Sequence, residues 1–221
     1  FLFVQFRKQI KIDPNLTDAV LFITADTFYR LRINDVFVMH GPARSSPGNA
    51  AVDTINVTPY LNQKQNTITV EVFHGPSQFE ALAQAPGLFC ELEIQEGNTK
   101  RVIYTDGTWE SYEIVAWNRQ SPRFSTQRGW VEDFDARTEV PELWVPAKVI
   151  GKAGTVPWKS VTIRDIPMPA PLEFIRPESI VGVQRGESSD TQSPSADWVG
   201  QLETERVQLD EPAIKNPAGI T

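Results

Sequence analysis

Glu132, Asp133 and Asp135 bring three carboxylates within four residues, and paired carboxylates are what cleaves a glycosidic bond when one serves as acid and the other as base or nucleophile. On an extended chain Asp133 and Asp135 project to the same side, an arrangement that also suits a calcium ion and makes them the secondary candidates for a metal. The plainer role is pairing with Arg128 and Arg137 or capping a turn, and residue types alone favour it. A Ser-His-Asp set can be drawn from Ser45, His40 and Asp53, but no nucleophile-elbow motif surrounds Ser45. Two histidines and the lone Cys90 are too few for a histidine- or cysteine-rich metal centre, and no glycine pattern of a nucleotide fold is present. No cofactor is expected.

Sugar contact is the better fit. A pyranose offers apolar C–H faces that stack on Trp or Tyr, and hydroxyls that bond to Asp, Asn, Arg or His. Two loops carry such residues. One is HGPARSSPGNA, with His40, Arg44 and Asn49; the other is AWNRQSPRF, with Trp117, Asn118, Arg119 and Arg123. Loops at one end of a sandwich would form a shallow patch or the rim of a neighbouring site. Against this stands the ordinary role in which the arginines pair with carboxylates and Trp117 covers a core. Trp109, Trp130 and Trp144 are assigned to packing, and Cys90, in LFCELEI, to the apolar face of a strand.

These residues need a frame, and the periodicity supplies one. Tyr29, Leu31 and Ile33 alternate with Arg30, Arg32 and Asn34, as in a half-buried strand, and Val20 to Ile23 is the continuous apolar run of a strand covered on both sides. Asn34-Asp35 predicts a tight hairpin turn before Val36. Strands are also expected over Phe3–Ile12, Asp53–Val57, the alternations Ile68-Val70-Val72 and Leu88-Cys90-Leu92-Ile94, Arg101–Tyr104 and Trp109–Val115. Thr58-Pro59 reads as an N-cap with proline at the first helical position of a single turn. No amphipathic helix of ordinary length is visible, which removes the parallel α/β folds.

The 221 residues, 40% of them hydrophobic, suffice for one large core or one domain and part of another, and the net charge of −7 argues against nucleic acid as a partner. No apolar run reaches the roughly 20 residues that cross a bilayer. The chain reads as a mature secreted or extracytoplasmic product, with the cytoplasm as the alternative. Residues 1–145 are expected to form the sandwich. Prolines crowd 146–185, an extended connector; 186–197 is a polar linker; 198–221 alternates again, as the first strands of a following, incomplete β-domain.

The pattern TAD-x-x-Y-x-L-x-IN-x-x-x-V at Thr24 to Val38, GPARS at Gly41 to Ser45, D-x-x-x-VTPYL at Asp53 to Leu61, PGL at Pro86 to Leu88, TDGTW at Thr105 to Trp109, DFDAR at Asp133 to Arg137 and RDIP at Arg164 to Pro167 resembles the N-terminal β-sandwich of α-L-rhamnosidases of glycoside hydrolase family 78. The resemblance implies an all-β antiparallel sandwich of jelly-roll, galactose-binding-like type. It implies a non-catalytic accessory domain that braces a separate (α/α) barrel and borders its cleft, with the remaining domains of the parent enzyme and rhamnose-containing oligosaccharide as partners. An autonomous carbohydrate-binding module, or a scaffold domain without a sugar site, is the alternative. The sequence departs from the family at Asn34-Asp35, where Asn-Gly is usual, and this predicts a longer or bulged turn.

Overall fold

The computed structural model describes residues 2–45, 48–75, 86–125, 129–138, 143–155, 158–168, 183–185 and 205–207. Its strands are β1 (Leu2–Lys11), β2 (Leu16–Asp26), β3 (Phe28–Ile33), β4 (Val36–Gly41), β5 (Asn49–Asn56), β6 (Gln65–His74), β7 (Gly87–Glu96), β8 (Thr99–Tyr104), β9 (Glu110–Glu113), β10 (Arg123–Ser125), β11 (Gly129–Trp130), β12 (Val145–Pro146), β13 (Ser160–Ile163), β14 (Val183–Arg185) and β15 (Glu205–Val207). Among the described residues the only helical turn is a 3-10 turn at Thr58–Tyr60.

Contacts divide the chain into two units, one of residues 1–120 and 132–169 and one of 121–131 and 170–221. In the second unit, β10 pairs with β11 and β14 with β15, both antiparallel. The 186–197 linker proposed from composition lies outside the described residues.

The first unit is a β-sandwich. One sheet runs β12-β9-β1-β6-β3-β4 and the other β13-β5-β2-β7-β8. Every pairing is antiparallel except β13 with β5. The alternation read from sequence sets the inward faces: Leu21 and Ile23 of β2, Leu31 and Ile33 of β3, Ile68 and Val70 of β6, and Cys90, Leu92 and Ile94 of β7 are all buried in one aliphatic cluster. Such residues are stiff, wide and suited to a pleated surface, so burial and strand geometry reinforce each other.

The hairpin between β3 and β4 turns on Asn34 and Asp35 alone, with φ of 51° and 63°. Both residues tolerate the left-handed region, so the pair accomplishes what Asn-Gly does elsewhere, and the turn is not lengthened. The irregularity lies instead between Leu31 and Arg32, where the register with β4 shifts. Asn34 is held there: its side-chain amide donates to Tyr60 O at 2.9 Å and Asn66 Oδ1 at 2.8 Å, and its Oδ1 accepts Thr67 N at 3.0 Å. The turn at Thr58–Tyr60 is present, but Thr58 does not cap it. Val57 is the N-cap, and the Thr58 hydroxyl accepts Ala19 N at 2.8 Å, tying the turn to β2.

Within residues 146–185, expected as an extended connector, the described part up to residue 168 contributes to both sheets. β12 pairs with β9 at the edge of the six-stranded sheet, and β13 pairs with β5 at the edge of the five-stranded one. The chain between them crosses the end of the sandwich where β7 begins. Trp158 is buried there, and both it and Ile150 lie against Gly87, where a side chain would have to displace them. We call residues 143–168 the strap.

Candidate functional site

Two clusters of polar and charged side chains stand out in the sandwich, and they differ in depth. The first is buried. Asp53, on β5, has no exposed surface, yet it is held from two sides: Tyr29 on β3 donates its phenol to Oδ2 at 2.6 Å, and Arg164 of the strap donates from Nη1 to Oδ1 at 3.0 Å. Arg164 also reaches Ile166 O at 3.1 Å, and its own amide donates to Val52 O at 2.9 Å. A buried carboxylate is tolerable only when paired and hydrogen-bonded, and Tyr29 and Arg164 meet that demand. Burial, and next the bond to Asp53, pushes the Tyr29 phenol above its ordinary range. Gly41 completes the arrangement, because a Cβ there would collide with Asp53 Oδ2 and stand 2.8 Å from the Tyr29 ring. The GPAR, Asp53 and RDIP motifs therefore meet at one point. With Asp53 so occupied, and with the Ser45 hydroxyl donating to Asn49 O at 2.8 Å, the Ser45-His40-Asp53 set has no catalytic geometry.

The second cluster lies on the outer face of the six-stranded sheet. Pairing places His40 opposite Arg30, Arg30 opposite Glu71, Glu71 opposite Gln5 and Gln5 opposite Tyr112, one row across β4, β3, β6, β1 and β9. Arg30 sits 3.5 Å from Glu71 and 4.0 Å from Glu132. Beside the row runs a chain of rings. Phe28 faces Phe73 with centroids 6.2 Å apart, Phe73 meets Phe3 at 4.9 Å, Phe3 stacks on Trp117 at 4.9 Å and 12°, and Trp117 meets Phe134 at 4.8 Å. Towards the β9 edge, Trp144 packs edge-on against Tyr112 at 4.5 Å and lies under the Arg7 guanidinium at 3.9 Å. This is a small second core, formed because residues 114–118 and 132–135 fold back over the sheet through a bridge between Trp117 and Phe134.

The residues nominated from sequence divide accordingly. Trp117 has Phe3 against one side of its ring, Phe134 close by, and its indole nitrogen donating to Glu71 at 3.0 Å. Asn118 donates to Asp133 Oδ2 at 2.8 Å and accepts Gln120 N at 2.9 Å, and Arg119 is paired with Glu113. Asp135 pairs with Arg137 at 2.8 Å, which, with the backbone N–H of Arg137, holds its carboxyl below the usual range. Asp133 thus serves Asn118 across the fold-back and Asp135 serves Arg137 in its own turn, and no cluster of three potential metal ligands occurs among the described residues. His40 is exposed, its ring 6.2 Å from Phe37, and shares the row with Arg30. Arg44 is exposed in the loop beyond it, and Asn49 begins β5 in the other sheet, so the His40–Asn49 loop does not gather its three candidates on one face. Cys90 is fully buried, and burial pushes its thiol up, away from reactivity.

Sequence reasoning missed Tyr29, Arg30, Glu71 and Arg164. An aspartate in the apolar run Val52-Asp53-Thr54-Ile55 was the available signal that a buried cation had to exist somewhere. Apart from both clusters, beside strap residues 147–151, lies a cleft of about 250 Å³ lined mostly by apolar groups such as Val4, Val72, Leu88 and Trp109, with His74 at its wall bonded to Asp26 at 2.9 Å. No helix among the described residues is long and apolar enough to cross a membrane.

The architecture recurs in solved enzymes. A family 78 rhamnosidase of Bacillus sp. GL1 superposes with a TM-score of 0.68 at 30% identity, over 86% of this chain and 21% of that one. An α-L-rhamnosidase of Aspergillus terreus gives 0.58 at 23% identity over 73% of this chain and 20% of its own, which speaks for the fold. The α-L-rhamnosidase of Streptomyces avermitilis is 25% identical over 158 residues, 71% of this chain and 13% of that protein. The chain thus spans between about an eighth and a fifth of the length of these relatives. The sequence model of the alpha-L-rhamnosidase N-terminal domain matches residues 14–177, a span that holds the quoted motifs, the buried clasp and every strand of the sandwich but β1, and the chain belongs to the α-L-rhamnosidase N-terminal domain family.

Proposed function

We propose that this chain is the non-catalytic N-terminal accessory domain of a longer, α-L-rhamnosidase-like glycoside hydrolase, and that it braces the enzyme's other domains. The observation that carries the reading is that the side chains suited to chemistry on its surface already serve one another: Trp117 with Phe3 and Glu71, Asn118 with Asp133, Arg119 with Glu113, Asp135 with Arg137. A retaining or inverting glycosidase needs two carboxyls facing a cleft. Here Asp133 is engaged by Asn118, Asp135 by Arg137, and Glu132 lies 4.0 Å from Arg30. A sugar-stacking tryptophan needs an open ring face, and Phe3 and Phe134 crowd that of Trp117. In this reading Trp117, Asn118 and Arg119 hold the 114–118 and 132–135 segments in place, and the exposed His40, Arg44 and Asn49 serve interdomain contact.

The test uses the chain by itself. Incubated with an aryl α-L-rhamnoside at high protein concentration it is expected to give no turnover, and titrated with a rhamnose-containing oligosaccharide in a calorimeter it is expected to give no saturable heat. Trp117→Ala should lower stability by about 1–3 kcal/mol, since a large, partly buried ring leaves its packing partners behind. Saturable binding by the parent chain that disappears in a still-folded Trp117→Ala variant would transfer the assignment to an autonomous carbohydrate-binding module.

A further inference from the structure

The strap presents to solvent what a polypeptide ordinarily hides. Twelve large apolar side chains are exposed among the described residues, and six of them, Leu143, Val145, Val149, Ile150, Ile163 and Ile166, belong to this one segment. Isolated surface leucines or valines need no explanation, whereas half of the exposed ones falling in a single segment that runs from the margin of one sheet to that of the other make this segment the candidate interaction surface. Flexible chain could turn such residues inward. The strap cannot, because it is pinned at three places: β12 on β9, Trp158 against Gly87, and Arg164 on the buried Asp53. Its backbone is committed to the sandwich, and although Ile150 lies against Gly87, all six side chains keep exposed surface.

From this we propose that the strap is the docking surface through which the sandwich holds a further domain of the same polypeptide, and that the surface it meets is apolar with an acidic rim. The proposal rests on the accessory-domain reading above. Two observations select the occupant. The relatives carry about four-fifths or more of their length outside the matched region, so such a polypeptide has further domains to meet the strap. A domain on the same chain is presented to the strap at an effective concentration set by its linker rather than by the solution. The charge supplies the second. In a chain of net charge −7, the strap has exposed Lys148, Lys152 and Lys159 against Asp165, with Arg164 already engaged by Asp53, which makes its surface locally basic. Complementary charge fixes the register of such a contact more than its strength.

Single cysteines at Val149 and Ile163 test this, because Cys90 is buried and provides little background. Maleimide labelling of Val149→Cys and Ile163→Cys is compared under native conditions in the 221-residue chain and in the full-length parent. The expected result is ready labelling in the chain and labelling slowed at least tenfold in the parent. Equal, fast labelling in both lengths leaves the strap uncovered and overturns the proposal. Slow labelling already in the 221-residue chain means that the chain covers its own strap, and overturns it as well. A parent polypeptide no longer than this chain would remove the accessory-domain reading itself, and the proposal with it. A charge-reversed variant, Lys148→Glu with Lys152→Glu, should accelerate labelling at Ile163→Cys, away from the exchanged charges in sequence, in the parent relative to the short chain carrying the same changes; no relative acceleration contradicts the acidic rim.

Discussion

The clasp of Tyr29, Asp53 and Arg164 and the outer row of His40, Arg30, Glu71 and Glu132 are built from the same kinds of side chain and have opposite consequences. In the clasp, Asp53 is wholly buried and the Arg164 side chain is 11% exposed, so each group has few partners and needs all of them. On the row, Arg30 is 40% and Glu132 78% exposed, and water stands in for any partner lost. Charge identity says little about energetic weight; solvent access decides it.

Substitutions sharpen that contrast. Arg164→Met should be the most damaging, at about 3–5 kcal/mol, since it strands a buried carboxylate. Adding Asp53→Asn to it should recover part of the loss, and a double-mutant cycle by denaturant unfolding measures the coupling. If Arg164→Met costs no more than a surface exchange, the clasp is not the anchor described here. Tyr29→Phe comes next, at about 1–2 kcal/mol for one buried hydrogen bond to a charged group. Its pH signature is specific. The folded phenol titrates above its unfolded value of about 10, so its contribution is whole below that pH and is lost as pH rises past it. The Cys90 thiol, also raised, acts in the same direction from about 8.5. Alkaline unfolding should therefore be shallower in Tyr29→Phe than in the parent chain. Arg119→Ala, which removes a half-exposed pair with Glu113, should change the midpoint least, within about 1 kcal/mol.

The sandwich was legible because its code is local. Period-two alternation in β3, β6 and β7 names the inward faces directly, and the backbone tolerance of Asn34 and Asp35 names the turn. The clasp was not, because its partners are 24 and 111 residues apart and one of them lies in a proline-rich stretch without periodicity. The motifs containing Tyr29, Asp53 and Arg164 carried the family resemblance, but their spacing could not state that they touch. The loop candidates misled for the converse reason. Trp117, Asn118 and Arg119 have residue types suited to sugar, and only the fold-back through Phe134 reveals that those capacities are already engaged.

The parallel pairing of β13 with β5 has a bearing on solubility. β5 runs eight residues, Asn49 to Asn56, and β13 pairs with its first four, so with β13 absent the outer amides and carbonyls of Asn49 to Val52 would be open to any other extended chain. The other margins are guarded in their own ways: β12 is two residues long and ends in Pro146, β4 is distorted by the register shift opposite Leu31 and Arg32, and β8 carries Lys100 and Arg101. β13 itself, four residues long, offers a poor template for strand addition. A chain cut before residue 160 would therefore present an unpaired edge along the whole of β5 together with the orphaned carboxylate of Asp53, and should self-associate edge to edge more readily than the intact domain, as light scattering would show.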